Sequence, residues 1–423
     1  MGTERASASE RLDAGDVAGA MRALRFTADE MPIGELARVT GRAAEMMGFD
    51  DLVTASSALA ADPDRPQALY DFGYVCVERG AAYVAIPALS AGLRTLPDTV
   101  PIRTELAVAL ERERRHGEAV RLLEERAGTL SPWPHGYLLV YNAIMAGDLA
   151  TARRHADRLP PPEDDQWAAA HDKVLRMLTR AVAAEAAGPL DGRDLRGWHF
   201  VLTGGILATL SPYGFDQGMT GRYAYTQDDY GRCRHGLERL RLILASAGSR
   251  PATVSLLPDR SSHVLGLAAA GVLGLPAVPF VPERPDTVVA AYDHGEVDDV
   301  PALRERAPGQ VLYEHATCWT TPPEVSADVS AYLHQVSEPP WGETMRHTPD
   351  GAVERMPADD RPAEKAAAEI NAADAEFDPG DGATPADPDA APAEFATAVA
   401  REWSTGVRHH VASSGPVTSN HFA

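Results

Sequence analysis

From Asp13 to about Leu159 the chain repeats itself with a period of 32 to 34 residues, and a repeat of that length leaves few folds open. The phase shows in small residues, which mark where two helices must approach closely. Gly80, Ala85, Leu89, Gly92 and Pro97 fall at a turn glycine, a tight-packing alanine, a large apolar position, a second small position and a closing proline. Gly15, Ala20, Leu24 and Pro32 keep the same offsets upstream. Gly48 opens the next unit with Gly41 before it, as Gly73 precedes Gly80. Downstream come Leu106, Ala107, Leu110, Ala119 and Leu123, then Gly147, Ala152 and Ala156. A unit of this size holds a helix, a turn and a second helix. Its apolar face is buried only when a neighbour stacks on it, so the pattern predicts a solenoid.

This stretch resembles the tetratricopeptide repeat, over about four to four and a half units. The alternative is an irregular helical bundle. The resemblance implies a groove that takes a protein or peptide, either an extended segment or a partner's helix. Tyr70, Tyr74, Arg103, Arg112 and Tyr141 are candidates to line it. The prolines of Leu159–Pro162 stop the last unit, and Gln166–Ala187 reads as a helix that caps the stack. The first domain is therefore expected over residues 1–190.

The balance of charge narrows the partners. A formal net charge of −22 argues against nucleic acid and against an anionic membrane surface. No apolar run is long enough to span a bilayer, and the N-terminus lacks a secretory pattern, so a cytoplasmic protein is expected. The three cysteines, Cys76, Cys233 and Cys318, are far apart and make no CxxC pair, which implies neither a disulfide framework nor a cysteine zinc site.

After Gly188 the texture alternates, and residues 191–345 read as a parallel-sheet α/β domain. Trp198–Leu202 is expected as a strand and Arg222–Ala247 as a long helix with Asp228 and Asp229 in its first turn, where the helix dipole favours acids. Ala252–Leu257, the loop Pro258–Ser262 with a serine N-cap, the small-residue helix His263–Leu273, Gly274 and Pro276–Phe280 make a βαβ unit. Thr287–Tyr292 is a further strand ending at Asp293. Val311–Tyr313 is another, followed by a polar loop Glu314–Glu324 and the start of a helix. No nucleophile elbow, P-loop, HExxH or GxGxxG occurs.

The order of parts from Trp198 to Gln335 resembles the type I phosphoribosyltransferase fold in degenerate form. That resemblance implies a phosphate-bearing small molecule, Mg2+ with a phosphorylated ligand, and a site at the carboxyl edge of the sheet. Glu314 and His315 take the catalytic place of the family's acidic pair. Asp259, Arg260, Ser261 and Ser262, with Thr317, Thr320 and Thr321, are the ligand- and phosphate-binding candidates, and Asp293 is a metal candidate. Pro322 and Pro323 stand where the family has glycine and threonine, and proline offers a phosphate no N–H.

Residues 346–423 read as a disordered acidic tail. Gly351–Glu394 carries twelve acidic against three basic residues and few aromatics, too little apolar surface to offset its ordering entropy. Ala393–Thr405 is expected as one amphipathic helix with Phe395, Val399 and Trp403 on a face. The whole reads as an α plus α/β multidomain chain. Two functions fit it: an interaction scaffold with a ligand-sensing domain, or a divergent phosphoribosyl- or nucleotide-related transferase that takes a protein or peptide substrate.

Overall fold

The computed structural model describes residues 7–214, 218–297, 300–347, 353–375, 380, 382, 384, 387–411 and 415–417. It divides into two compact units, Met1–Val174 and Leu175–Ala423. None of the described helices is long and apolar enough to cross a membrane.

The first unit is all helix. α1 (Ala8–Asp13) and α2 (Val17–Thr27) are followed by pairs α3 (Ile33–Met47) with α4 (Asp50–Ala61) and α5 (Pro66–Glu78) with α6 (Ala82–Thr95). Then come α7 (Val100–Arg112) with α8 (His116–Glu124) and α9 (Tyr137–Met145) with α10 (Leu149–Ala156). Each pair turns through a residue at positive φ: Gly15 (79°), Gly48 (73°), Gly80 (76°), Arg114 (57°) and Gly147 (78°). The residue after each returns its N–H to a carbonyl five back. Asp16 to Arg11, Phe49 to Ala44, Ala81 to Cys76, Arg115 to Leu110 and Asp148 to Ala143 all lie at 2.8–2.9 Å. That is a Schellman closure, repeated with the sequence period. The small residues mark close approach, as expected. A Cβ on Gly73 would lie 2.5 Å from Leu89, and one on Gly41 would lie 3.0 Å from Ser56. α11 (Ala168–Ala187) runs across the boundary between the units.

The second unit is built on a parallel sheet. Its strands are β1 (Ile206–Leu207), β2 (Tyr223–Gln227), β3 (Thr253–Leu256), β4 (Ala277–Pro279), β5 (Thr287–Ala291), β6 (Val311–Cys318) and β7 (Val329–Glu338). Their order is β1-β7-β6-β5-β3-β4, with β2 also on β7, and every pair is parallel. α14 (Arg260–Leu273) connects β3 to β4, and α13 (Tyr230–Ser246) precedes β3. β8 (Thr344–His347) and β9 (Val353–Met356) form a separate antiparallel ribbon.

Four local expectations differ from what forms. Residues 195–203 are a helix, α12, not a strand: Asp194 caps it by accepting from the Gly197 N–H at 2.8 Å, and Leu195, Trp198, Val201 and Leu202 are buried at helical spacing. The expected helix from Arg222 opens as strand β2, so Asp228 precedes α13 and Asp229 is its cap, accepting from Arg232. Strand β6 does not stop at Tyr313. It runs through Glu314 and His315 to Cys318, and the segment after Glu324 becomes β7 rather than a helix. The cap of α14 is Asp259, which accepts from the Ser262 N–H at 2.8 Å, not a serine.

The C-terminal segment also holds more order than composition implies. α15 (Ala363–Ala372) buries Ala366, Ala367 and Ile370, and α16 (Ala390–Val399) buries Phe395, Ala396 and Val399, with Trp403 just beyond. Buried ion pairs join this apolar cover near α16 and beyond it. Asp387 pairs with Arg196 at 2.8 Å and Arg239 at 2.7 Å, while Arg408 pairs with Asp328 at 2.7 Å, all of them buried.

Candidate functional site

β6 carries two adjacent polar residues that the sheet buries fully, Glu314 and His315. Successive residues on a strand face opposite ways, and these two have separate partners. His315 Nε2 lies 2.9 Å from Asp228 Oδ2, and its Nδ1 lies 3.1 Å from the Tyr313 hydroxyl. The same Asp228 oxygen accepts from the Tyr292 hydroxyl at 2.9 Å and from the Cys233 thiol at 3.4 Å. Asp228 Oδ1 takes the Asp229 N–H at 3.0 Å. Burial raises the Asp228 carboxyl, but His315 beside it and its hydrogen bonds outweigh that and hold it below the usual range. Gly236 of α13 makes the approach possible: a Cβ there would meet the Tyr313 hydroxyl at 2.7 Å and His315 Nδ1 at 2.9 Å.

Glu314 faces the other way. One oxygen accepts from the His294 N–H at 2.8 Å and the other from the Thr317 hydroxyl at 2.6 Å. Burial, with the neighbouring Asp293 carboxylate, pushes Glu314 up to about 8, so it is mostly protonated at neutral pH. Thr317 also lines a cavity of about 70 Å³ whose wall includes His199, Arg222, Cys318, Trp319 and Pro322. The Arg222 guanidinium lies 5.6 Å from the Trp319 ring centre. His199 Nε2 is buried there without a hydrogen-bond partner, and burial holds that imidazole down to about 4. Cys318 Sγ accepts from the Thr321 N–H at 3.4 Å and lies 3.4 Å from the Thr320 hydroxyl. The walls are largely apolar with a few polar groups converging, the kind of lining that small-molecule sites have, in a space far smaller than most of them.

The structure places the remaining sequence candidates at the point where β4 and β5 flank β3, the reversal of strand order where α/β sheets commonly bind ligands. Register puts Leu256 beside Ala290 and Ala291 beside Glu314, so Asp259, Asp293 and Glu314 approach one edge of the sheet. Yet the chain's own groups occupy the loop after β3. Asp259 caps α14, and Arg260 donates to the carbonyls of Asp359 and Arg361 at 2.7 Å each. Ser261 accepts from the Trp341 indole at 3.0 Å, and Ser262 accepts from the Tyr292 N–H at 3.1 Å. Asp293 caps a short turn through the Gly295 N–H at 2.7 Å. Asp298 and Asp299, the next aspartates in the sequence, lie outside the described residues.

Asp228, Cys233, His199, Arg222 and Cys318 were not among the sequence candidates. The only local signal for Asp228 was the alternation of Tyr223 and Tyr225, which marks a strand and so moves the acid out of the helix. For the others no local signal exists, because sheet order brings them together.

Fold and site together define a helical-repeat unit joined to a parallel α/β unit with a cavity beside β6. No family model matches the chain, and no curated protein matches it. Among solved structures, a MamA mutant is 18% identical over 36% of this chain and 91% of that one, with a TM-score of 0.25. A second, MamA AMB-1, is 22% identical over 36% of this chain and 94% of that one, also at 0.25.

Proposed function

We propose that this chain is a protein-interaction scaffold, its helical repeat holding an extended peptide or a partner's helix and its α/β unit binding a small organic anion. The observation that carries the first part is the positive-φ turn recurring at positions 15, 48, 80, 114 and 147. Helix pairs stacked in that way present the first helix of each pair to a groove. On α5, Tyr70 and Tyr74 stack with ring centres 6.2 Å apart, and Tyr74 is 44% exposed, which suits a peptide backbone or apolar anchor. Arg103 belongs to the frame instead: it is buried and donates to the carbonyls of Leu122 and Pro97.

The second part is supported by the cavity beside Thr317. Arg222 supplies charge and Trp319 a flat apolar surface, while Thr317 and Ser330 offer hydroxyls for a phosphate or carboxylate. A second reading, a divergent phosphoribosyl- or nucleotide-related transferase with Mg2+, is favoured by one observation: Asp259, Asp293 and Glu314 come to the same edge of the parallel sheet.

Two experiments separate these readings. Calorimetric titration of the full chain with phosphoribosyl pyrophosphate and Mg2+, with nucleotides and with phosphate, followed by product assay, tests the α/β unit. Binding without turnover, lost in Trp319→Ala, supports the scaffold reading; turnover lost in Glu314→Gln supports the transferase; silence across the panel removes the small-anion part. The repeat is tested on its own by co-purification from native extract. A partner that is lost in Tyr70→Ala with Tyr74→Ala, at unchanged circular dichroism, supports the groove, and one that is retained removes it.

A further inference from the structure

Three side chains of different chemistry converge under the N-terminus of α13. One ligand atom each of Asp228, Cys233 and His315 lies within 4.8 Å of the other two, and all three residues are fully or nearly fully buried. They come from separate elements: the segment after β2, the first turn of α13 and the middle of β6. Hydrogen bonding crowds one of their atoms. A carboxylate oxygen has two lone pairs, yet Asp228 Oδ2 faces three groups that would each donate to it, the Cys233 thiol, the Tyr292 hydroxyl and the His315 imidazole.

We propose that Asp228, Cys233 and His315 supply three ligands to a divalent transition metal, with zinc the best fit and the fourth position left to a solvent molecule. One sulfur, one nitrogen and one oxygen donor suit that borderline-soft ion, which takes each of these ligand types. Charge agrees as well. A carboxylate and a thiolate against a divalent ion sum to zero, the only total that a dry interior accepts at low cost. The surroundings are those of a metal-held histidine, whose second ring nitrogen is fixed by another group. Here the Tyr313 hydroxyl, 3.1 Å from Nδ1, does this, and Tyr292 and Tyr332 pack the ring at 5.4 and 5.1 Å between centres.

The proton count is simple. On binding, the Cys233 S–H bond breaks and its proton leaves to solvent, while the thiolate keeps the electron pair and gives it to the metal. His315 changes tautomer: the hydrogen that Nε2 donates to Asp228 in the metal-free site leaves to solvent and one is taken up on Nδ1, donated to Tyr313, so that Nε2 offers its lone pair. Asp228 is already ionised, and the Tyr292 hydroxyl keeps its hydrogen bond to Oδ2. Net release is one proton per metal, with no change of oxidation state. The bound ion would tie β2, α13 and β6 together at the carboxyl end of the sheet.

The test uses the full chain, purified without a metal-affinity step. Elemental analysis should find one zinc per chain. Metal-free protein titrated with Co2+ should develop the thiolate-to-cobalt charge-transfer band of a tetrahedral site, saturating at one equivalent, and its melting temperature should rise with Zn2+ and fall with chelator. Cys233→Ser should abolish the band, while Cys76→Ala and Cys318→Ser keep it. If Cys233→Ser does not fold, the wild-type cobalt spectrum and melting shift decide alone. Folded wild-type protein that holds no zinc and gives no band overturns the proposal, as does a band that survives Cys233→Ser or disappears with Cys318→Ser.

Discussion

Gly80 sits at φ 76° with nothing within 4 Å of where a Cβ would go, so alanine there meets only the backbone cost of the left-handed region. That cost is about 1 kcal/mol. Gly73→Ala adds a collision, because its Cβ would lie 2.5 Å from Leu89, and should cost more than Gly80→Ala. Urea unfolding of the two variants checks the order; equal midpoints would show that the turn and the close approach are not separate constraints. Both glycines were legible in the sequence, since their spacing alone fixed turn and contact. Arg114 was not, because it fills the same turn at φ 57° without the glycine that signals it. A second prediction concerns the histidines His199 and His294, each held by burial at about 4 from an ordinary 6.5. His199 faces Arg222; His294 faces Glu314, Arg408 and Asp328. The unfolded chain binds these protons first, so stability should fall as pH drops from about 6.5 to about 4 and then level off. For His294, with no exposed side-chain area, the full effect is roughly 3 kcal/mol. His294→Gln should flatten that decline in urea midpoints measured across the window; an unchanged slope counts against it.

Among the elements, β6 shows where sequence reading runs out. Val311–Tyr313 reads as a strand because its residues are apolar, and Glu314-His315 reads as loop because they are not. The strand continues because each polar side chain finds buried partners far away in sequence: Asp228 is 87 residues from His315, and His294 is 20 from Glu314. Periodicity cannot reveal a pairing that sheet order creates. The βαβ unit around α14 was legible for the opposite reason, since its small-residue face and closing glycine at φ 66° are local, although its cap is Asp259 and not the serine expected. α16 tells the same story. Its apolar stripe could be read, but not the carboxylate just before it. Asp387 accepts from Arg196, from Arg239 and from the Leu210 N–H. Removing it strands two buried guanidinium groups, so Asp387→Ala should cost about 3–5 kcal/mol. Loss of less than about 1 kcal/mol by denaturant melting would place Asp387 outside the core, as an exposed ion pair.

At the scale of the whole molecule, the acidic composition of residues 346–423 suggested a segment apart from the fold, yet the second unit depends on the end of the chain. Asp328, which opens β7, is fully buried and takes Arg408 at 2.7 Å, Arg306 and the Leu312 N–H. Those charges outweigh burial and bring its carboxyl down to about 2. Arg408 is itself completely buried and also donates to the carbonyls of Leu303 and Gln310, while the Trp403 indole donates to the Asp328 carbonyl at 2.9 Å. Deleting residues 386–423 therefore removes a cation from a buried carboxylate, a carboxylate from two buried arginines, and the apolar cover of Phe395, Val399 and Trp403. The loss of Asp387 alone amounts to about 3–5 kcal/mol, a large share of the stability of an ordinary domain, and the loss of Arg408 adds to it although Arg306 stays on Asp328. The first unit, Met1–Val174, has its own core from Ala8 to Ala119, a smaller cluster of Ala107, Leu123, Leu138 and Leu139, and none of these pairs. The truncated chain should therefore keep the helical unit as a protease-resistant fragment with cooperative melting while the rest is digested and its sheet signal lost. If limited proteolysis and hydrogen exchange instead find β3, β5, β6 and β7 as protected as in the full chain, the buried ion pairs at the chain's end are ornaments on a sheet that folds without them.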